Sequence, residues 1–149
     1  MKRYFFNAVF FLGLMTMSVM GLGSNDALEM SAQGVLVQKY RLNLIAQNVA
    51  NAFTLMTDKG VPYAKQYPII KSDQDGVRVV GVAESSQPFG KVYDASHPFA
   101  DKYGFVYIPN VNLSEEMIDL SYTNVLYEAN TTAFKAARNM YQSTVDILK

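Results

Sequence analysis

Residues 41–52 read Arg-Leu-Asn-Leu-Ile-Ala-Gln-Asn-Val-Ala-Asn-Ala. Apolar side chains recur there at helical spacing, yet amides stand at Asn43, Gln47, Asn48 and Asn51. Asn is a mediocre helix former because its side chain competes for backbone hydrogen bonds. A helix holding Asn43, Asn48 and Asn51 so close together is not built for maximal stability on its own. Gln47 lies one turn after Asn43 and one turn before Asn51, so these three form a stripe. Such a stripe suits close packing against other polypeptide, where amides bridge backbone groups and fix register.

Outward from this stretch the apolar positions keep a seven-residue spacing: Leu28, Val35, Leu42 and Val49, flanked by Ala32, Ile45, Ala46 and Ala52. Gly34 is a mild weakness inside the helix, worth about 1 kcal/mol relative to Ala. The same spacing returns near the other end with larger side chains: Leu120, Tyr127, Phe134, Tyr141 and Leu148, widened by Met117 and Val145. No Pro or Gly interrupts residues 113–149, which predicts one long helix. Ser114, followed by Glu116 in the first turn, is the expected N-cap. Matching stripes at both ends argue that the first and last helices pack as a coiled-coil-like pair. The seam is narrow, because Gln38, Lys39, Asn124, Thr131 and Arg138 interrupt it. Burying a large apolar side chain contributes about 1.5–3 kcal/mol, while ordering each residue costs about 1–2 kcal/mol. The two terms roughly cancel over such a pair, so the helical ends are expected to order fully only against neighbouring chains.

Between the helices the pattern shortens. Thr57–Pro62 reads as a turn and Tyr63–Ile70 as a strand that Pro68 confines to an edge. Asp73–Gly76 is a hairpin turn leading into the β-branched strand Val77–Ala83. Lys91–Tyr93 and Gly104–Ile108 are two further strand candidates. The expected fold is α+β, with four segments: an N-terminal extension (1–26), a first helix (27–56), a small β-rich insert (57–112) and a last helix (113–149).

Composition narrows the chemistry. The 149 residues hold 13 basic and 13 acidic side chains, so no basic surplus points to nucleic acid. The chain has no Cys, which removes disulfides and thiolate catalysis. His97 is the one histidine, and a lone His next to Pro98 shapes a turn more readily than it anchors a metal needing three or four ligands. Glu84, Asp94 and Asp101 are scattered acids of the insert rather than a paired hydrolytic set. Ser85-Ser86 lacks a nucleophile-elbow pattern, and no phosphate-cradling glycine loop is present. No catalytic residue, cofactor site or metal site is therefore expected.

Lys2 and Arg3 precede an uncharged, Phe-rich run that ends near Gly21-Leu22-Gly23. A basic start, an apolar middle and small residues two apart mark a secretory signal. The run could also be retained as a membrane anchor, or precede a biological start at Met20.

These residues together resemble the flagellar axial family, the rod and hook subunits. Asn43, Ile45-Ala46, Asn48 and Ala50-Asn51 are similar to that family's N-terminal signature. Gly60-x-Pro62-Tyr63, Gly76–Val82, Pro88-Phe89, Val92-Tyr93-Asp94, His97-Pro98, Gly104–Val106, Pro109–Asn112, Glu116-Met117 and Tyr127-x-Ala129-Asn130 extend the likeness in order from about residue 28 to the C-terminus. They narrow it to the proximal-rod branch, as does the small insert. Residues 1–26 lie outside it. The resemblance implies a structural, non-enzymatic subunit of the bacterial flagellar basal body, in the periplasmic rod, that polymerises through its terminal helices and transmits torque for motility. It implies other flagellar rod subunits and the basal-body export and assembly machinery as partners, with no nucleic acid and no small-molecule substrate. Membrane contact would come only through the N-terminal extension, if retained. Leu28, Val35, Leu42, Asn43, Asn48, Val49 and Asn51 of the first helix, and Leu120, Tyr127, Asn130, Phe134, Tyr141 and Leu148 of the last, are the expected assembly interface. The alternatives are another rod-type paralogue, or a secreted or envelope-anchored enzyme or adaptor that uses residues 1–23 for targeting.

Overall fold

The computed structural model describes residues 24–74 and 76–147. The extension's apolar run and Leu148 lie outside the described residues. Two long helices, α1 (Ser24–Ala50) and α2 (Leu113–Ile147), bracket four short strands: β1 (Gln66–Asp73), β2 (Gly76–Glu84), β3 (Gly90–Tyr93) and β4 (Phe105–Ile108). The strands make two separate antiparallel hairpins, β1–β2 and β3–β4. This is the α+β arrangement expected, with the helices packed on each other.

The helices run antiparallel. Gly34 of α1 meets Asn130 of α2, and Asn48 meets Glu116 further along. At Gly34 a Cβ would stand 3.1 Å from Asn130 Cγ, so the glycine admits the Asn130 amide against the α1 backbone. What costs helix propensity in the sequence is a contact in the fold.

The β1–β2 hairpin lies along α1. Its base starts beside Asn48, where Gln66 N donates to Asn48 Oδ1 at 2.9 Å. Its tip reaches Gln33, whose Oε1 accepts from Val77 N at 2.9 Å. Gly76 turns the tip with φ +114, and a Cβ there would collide with that same Gln33 oxygen. A register shift between Ile69 and Ile70 bends the ladder, and Pro68 sits in β1 of a two-stranded sheet, where an edge position is always available.

Three expectations need correction. The cap of α2 is Asn112, not Ser114: Asn112 Oδ1 accepts from Ser114 N at 3.0 Å and Glu115 N at 3.5 Å. An Asn preceding the helix reaches the orphan N–H groups that Ser114, already inside the helix, cannot. Met117 and Val145, expected to widen the α2 stripe, are exposed. The deepest apolar residues of α1 are Val37, Leu44 and Ile45, whereas Leu28, Val35, Leu42 and Val49 are only half-buried. Two things move the burial line. The α1 helix is covered by α2 on one side and by the β1–β2 hairpin on another, so its deepest line falls between them. A straight helix also drifts by about 20° per heptad away from a strict seven-residue stripe.

Candidate functional site

A buried polar clasp joins α1, α2 and the insert. At its centre Asn48 is 1% exposed and Glu116 is fully buried. Asn48 pairs with the backbone of Gln66 on both sides: its Nδ2 donates to Gln66 O at 2.9 Å, and its Oδ1 accepts from Gln66 N at 2.9 Å. The side chain thus imitates a neighbouring strand, supplying β1 with a partner where its own hairpin begins. Asn48 Nδ2 also donates to Glu116 Oε2 at 3.1 Å, and Tyr63 Oη donates to Asn48 Oδ1 at 3.0 Å. The other Glu116 oxygen holds the Lys65 ammonium at 2.6 Å.

A second amide extends the clasp. Asn110 Oδ1 accepts from Lys65 N at 2.7 Å, and Asn110 Nδ2 donates to Gln87 O at 2.8 Å. Lys65 and Gln66 are thereby fixed from the first helix, the last helix and the connection between them. Buried polar groups are stabilising only when their partners are supplied, and here Asn48 and Glu116 both have theirs.

The electrostatics follow from that burial. Burial works against the charge of Lys65, but the hydrogen bond to Glu116 and its negative field, helped by Asp119 and Glu115, outweigh it and hold the ammonium above the usual lysine range. Burial pushes the Tyr63 phenol up, and the charges of Glu116 and Glu84 push the same way. Beside the clasp, Arg41, Leu44, Tyr67, Pro68, Asp119 and Tyr122 line an open cleft of about 210 Å³, below the ~300–1,000 Å³ common for small-molecule pockets.

The acids of the insert have structural partners. Asp94 Oδ1 accepts from Ser96 Oγ at 2.7 Å and Ser96 N at 3.1 Å, which holds its carboxyl below the usual range. Asp101 Oδ1 accepts from Tyr103 N and Phe105 N, and Glu84 pairs with Lys59 at 2.8 Å. His97 Nδ1 accepts from Phe99 N at 3.1 Å and so braces its turn. Among the described residues no three His, Cys, Asp or Glu side chains group as a metal site would require, and no helix is long and apolar enough to cross a membrane.

The residues expected at an assembly interface fall in three places. Leu28, Val35, Leu42, Val49, Leu120, Tyr127, Asn130 and Phe134 are half-buried along the helix pair, while Asn43 and Tyr141 are exposed. Asn48 lies in the clasp, its amide consumed inside the chain. Asn51 is half-buried at the end of α1, where its Nδ2 donates to Gln47 O and its Oδ1 accepts from Thr54 Oγ1. Glu116, Lys65, Tyr63 and Asn110 were not expected as a unit. The available signal was the α1 face Val37, Leu44, Ile45 and Asn48, continued by Ala52 just beyond the helix and apolar except at Asn48, which marks a buried amide in need of partners.

Comparison with known proteins agrees with this architecture. The model of the family described as "Flagellar basal body rod FlgEFG protein C-terminal" matches residues 102–147. The chain is 33% identical to the flagellar basal-body rod protein FlgC of Borreliella burgdorferi, over 86% of this chain and 99% of that one. It is 32% identical to FlgC of Aquifex aeolicus, over 83% and 96% of the two chains. FlgC of Salmonella typhimurium is 30% identical, over 80% of this chain and 93% of its own.

Proposed function

The chain belongs to the FlgC family of flagellar basal-body rod proteins and is a structural subunit of the rod; from that premise we propose that it joins its neighbours through the outward faces of α1 and α2. Its work there is mechanical and not enzymatic: to carry torque along the shaft. The observation that carries this reading is the apolar surface that both helices leave exposed. Leu36 on α1, and Ile118, Val125 and Ile147 on α2, are large apolar side chains that stay exposed once the chain has folded. Apolar surface spread along two long helices marks a protein-interaction face. Leu28, Val35, Leu42, Val49, Leu120, Tyr127 and Phe134 are only half-buried in the single chain, and a neighbour would complete their burial. Other rod subunits and the assembly apparatus are the partners this reading requires. The clasp serves a different end. It holds the insert rigidly to the helix pair, so that neighbours meet one fixed shape.

The test uses exposed positions. Leu36→Asp and Ile147→Asp alter surface side chains, where substitutions usually change stability by no more than about 0.5 kcal/mol. Each variant is expected to fold normally yet be missing from purified basal bodies, with loss of swimming in soft agar. Normal incorporation and swimming by both variants would overturn the proposal.

A further inference from the structure

The β3–β4 hairpin stands apart from the rest of the fold. Neither helix nor the first hairpin packs against it among the described residues, and it is tied down through loops, notably by Asn110. A lone two-stranded hairpin is marginal in water. One of its faces is served from within, since Val106 is buried. The other is not. Register places Lys91 opposite Tyr107 and Tyr93 opposite Phe105, and strand alternation puts all four on one side. Tyr93 is 67% exposed, and its ring meets Phe105 edge-on at 5.4 Å. Lys91 lies over the Tyr107 ring at 5.1 Å, and Lys102 over Tyr103 at 4.9 Å. The result is an exposed aromatic platform with Lys91 over one of its rings, and a second cation–ring pair, Lys102 over Tyr103, in the turn before β4.

The same chain carries a surface of complementary character. Between residues 113 and 134, α2 has acidic side chains (Glu115, Glu116, Asp119 and Glu128) and no basic one. Glu116 points inward to the clasp. Ile118, Tyr122 and Val125 follow one another at helical spacing on the outward side, and Ile118 and Val125 are 69% and 64% exposed. Asp119 and Glu128 flank this apolar ridge. Because the platform and α2 do not touch within the chain, the two surfaces can meet only between molecules.

We propose that the Lys91–Tyr93–Phe105–Tyr107 platform of one copy seats on the Ile118–Tyr122–Val125 ridge of a second copy, with Lys91 and Lys102 facing Asp119 and Glu128. The inference rests on the rod-subunit reading for the need to repeat, and adds which surfaces repeat. The contact uses different patches on the two partners. It is therefore heterologous, and propagates as a ring or a helix instead of closing as a dimer. Aromatic side chains at the centre and opposite charges at the rim are the usual composition of such contacts.

A charge exchange tests this. One full-length variant carries Lys91→Glu and Lys102→Glu; the other carries Asp119→Lys and Glu128→Lys, which leaves the Asn112 cap untouched. Self-association is measured by sedimentation velocity at low salt. Each variant alone now sets like charges against each other and is expected to associate about tenfold more weakly than the parent chain, or worse. Mixed one to one, the variants restore opposite charges at every contact, and association returns. That recovery also shows both variants to be folded. Undiminished association of either variant alone overturns the proposal. So does failure of the mixture to recover when circular dichroism shows both variants to be as helical as the parent. A third outcome overturns it as well: self-association unchanged, but binding to purified insoluble cell-wall polysaccharide lost in Tyr93→Ala, which would make the platform a glycan surface. Recovery of the parent chain in isolated basal bodies separates the two readings. If the chain is present there but the charge exchange fails, only the platform contact is wrong; if the chain is absent, the rod reading itself falls.

Discussion

Replacing Asn48 by Asp changes one amide nitrogen to oxygen and almost nothing in volume, yet it places a second carboxyl against Glu116. Asn48 Oδ1 keeps its two incoming hydrogen bonds, from Gln66 N and Tyr63 Oη. The other atom now faces Gln66 O at 2.9 Å and Glu116 Oε2 at 3.1 Å, where a donor is required. If both carboxyls ionise, repulsion over that distance is about 5 kcal/mol at an effective dielectric constant near 20. If the new Asp keeps a proton, it can donate to Glu116. Holding that proton at pH 7 against an ordinary pKa of about 3.9 costs about 4 kcal/mol. The second route is cheaper, and the Lys65 ammonium 2.6 Å from Glu116 lowers the repulsion further. The single proton of the new Asp cannot also reach Gln66 O, which is left facing an oxygen at about 1–3 kcal/mol at either pH. Asn48→Asp is therefore expected to lose about 3–7 kcal/mol at pH 7, and about 1–3 kcal/mol less at pH 5, where the proton is easier to keep. Urea unfolding followed by circular dichroism at both pH values measures this, with each variant referred to the parent at the same pH. Asn48→Ala is the control: it leaves Gln66 N and O, Glu116 Oε2 and the Tyr63 hydroxyl without their partner, at about 1–3 kcal/mol per buried group, and adds no titrating group of its own, so its deficit should change less between those values than that of Asn48→Asp. An Asp deficit equal at pH 7 and pH 5 would refute the placement of this side chain beside the Glu116 carboxylate.

Other expectations follow from neighbouring features. Tyr63 and Lys65 both have pKa values raised by folding, so their contribution is complete below the ordinary values near pH ~10 and is lost as pH rises through the folded ones; an alkaline melting series should show this loss, and show less of it in Tyr63→Phe. Gly34→Ala gains about 1 kcal/mol of helix propensity but crowds Asn130 at 3.1 Å, with overpacking costing about 1–3 kcal/mol; a net loss is expected, relieved in the double variant with Asn130→Ala, and a stabilised single variant would contradict the close approach. Asn112→Ala should cost about 1 kcal/mol in chemical denaturation through loss of the α2 cap, whereas Ser114→Ala should be near neutral.

The architecture was readable because two periodicities dominate it. Unbroken helical spacing from residue 113 onward and a β-branched run after Gly76 placed α2 and β2 within a residue of their observed starts. The phase of burial was less readable. Seven-residue spacing picks out Leu28, Val35, Leu42 and Val49, but depth in α1 is set jointly by two covering elements, and the hairpin's position along the helix is fixed by Gln33 and Asn48, polar residues that periodicity ignores. Glu116 shows the limit most clearly. In sequence it is one of two acids in a first helical turn, as suited to solvent as Glu115 beside it. Its burial depends on Lys65 and Asn48, which are 51 and 68 positions away by numbering (116 − 65 and 116 − 48). Local sequence holds no record of such a meeting.

The paired bonds between Asn48 and Gln66 bear on how a subunit built into a rod carries load. Because the two bonds lie side by side on one side chain, a tug that separates the insert from the first helix has to stretch both together, with the Lys65–Glu116 attachment alongside. Parallel fastenings of this kind yield abruptly, whereas a zipper opens one link at a time. The insert should accordingly move with the helix pair without lag, up to a sharp breaking point.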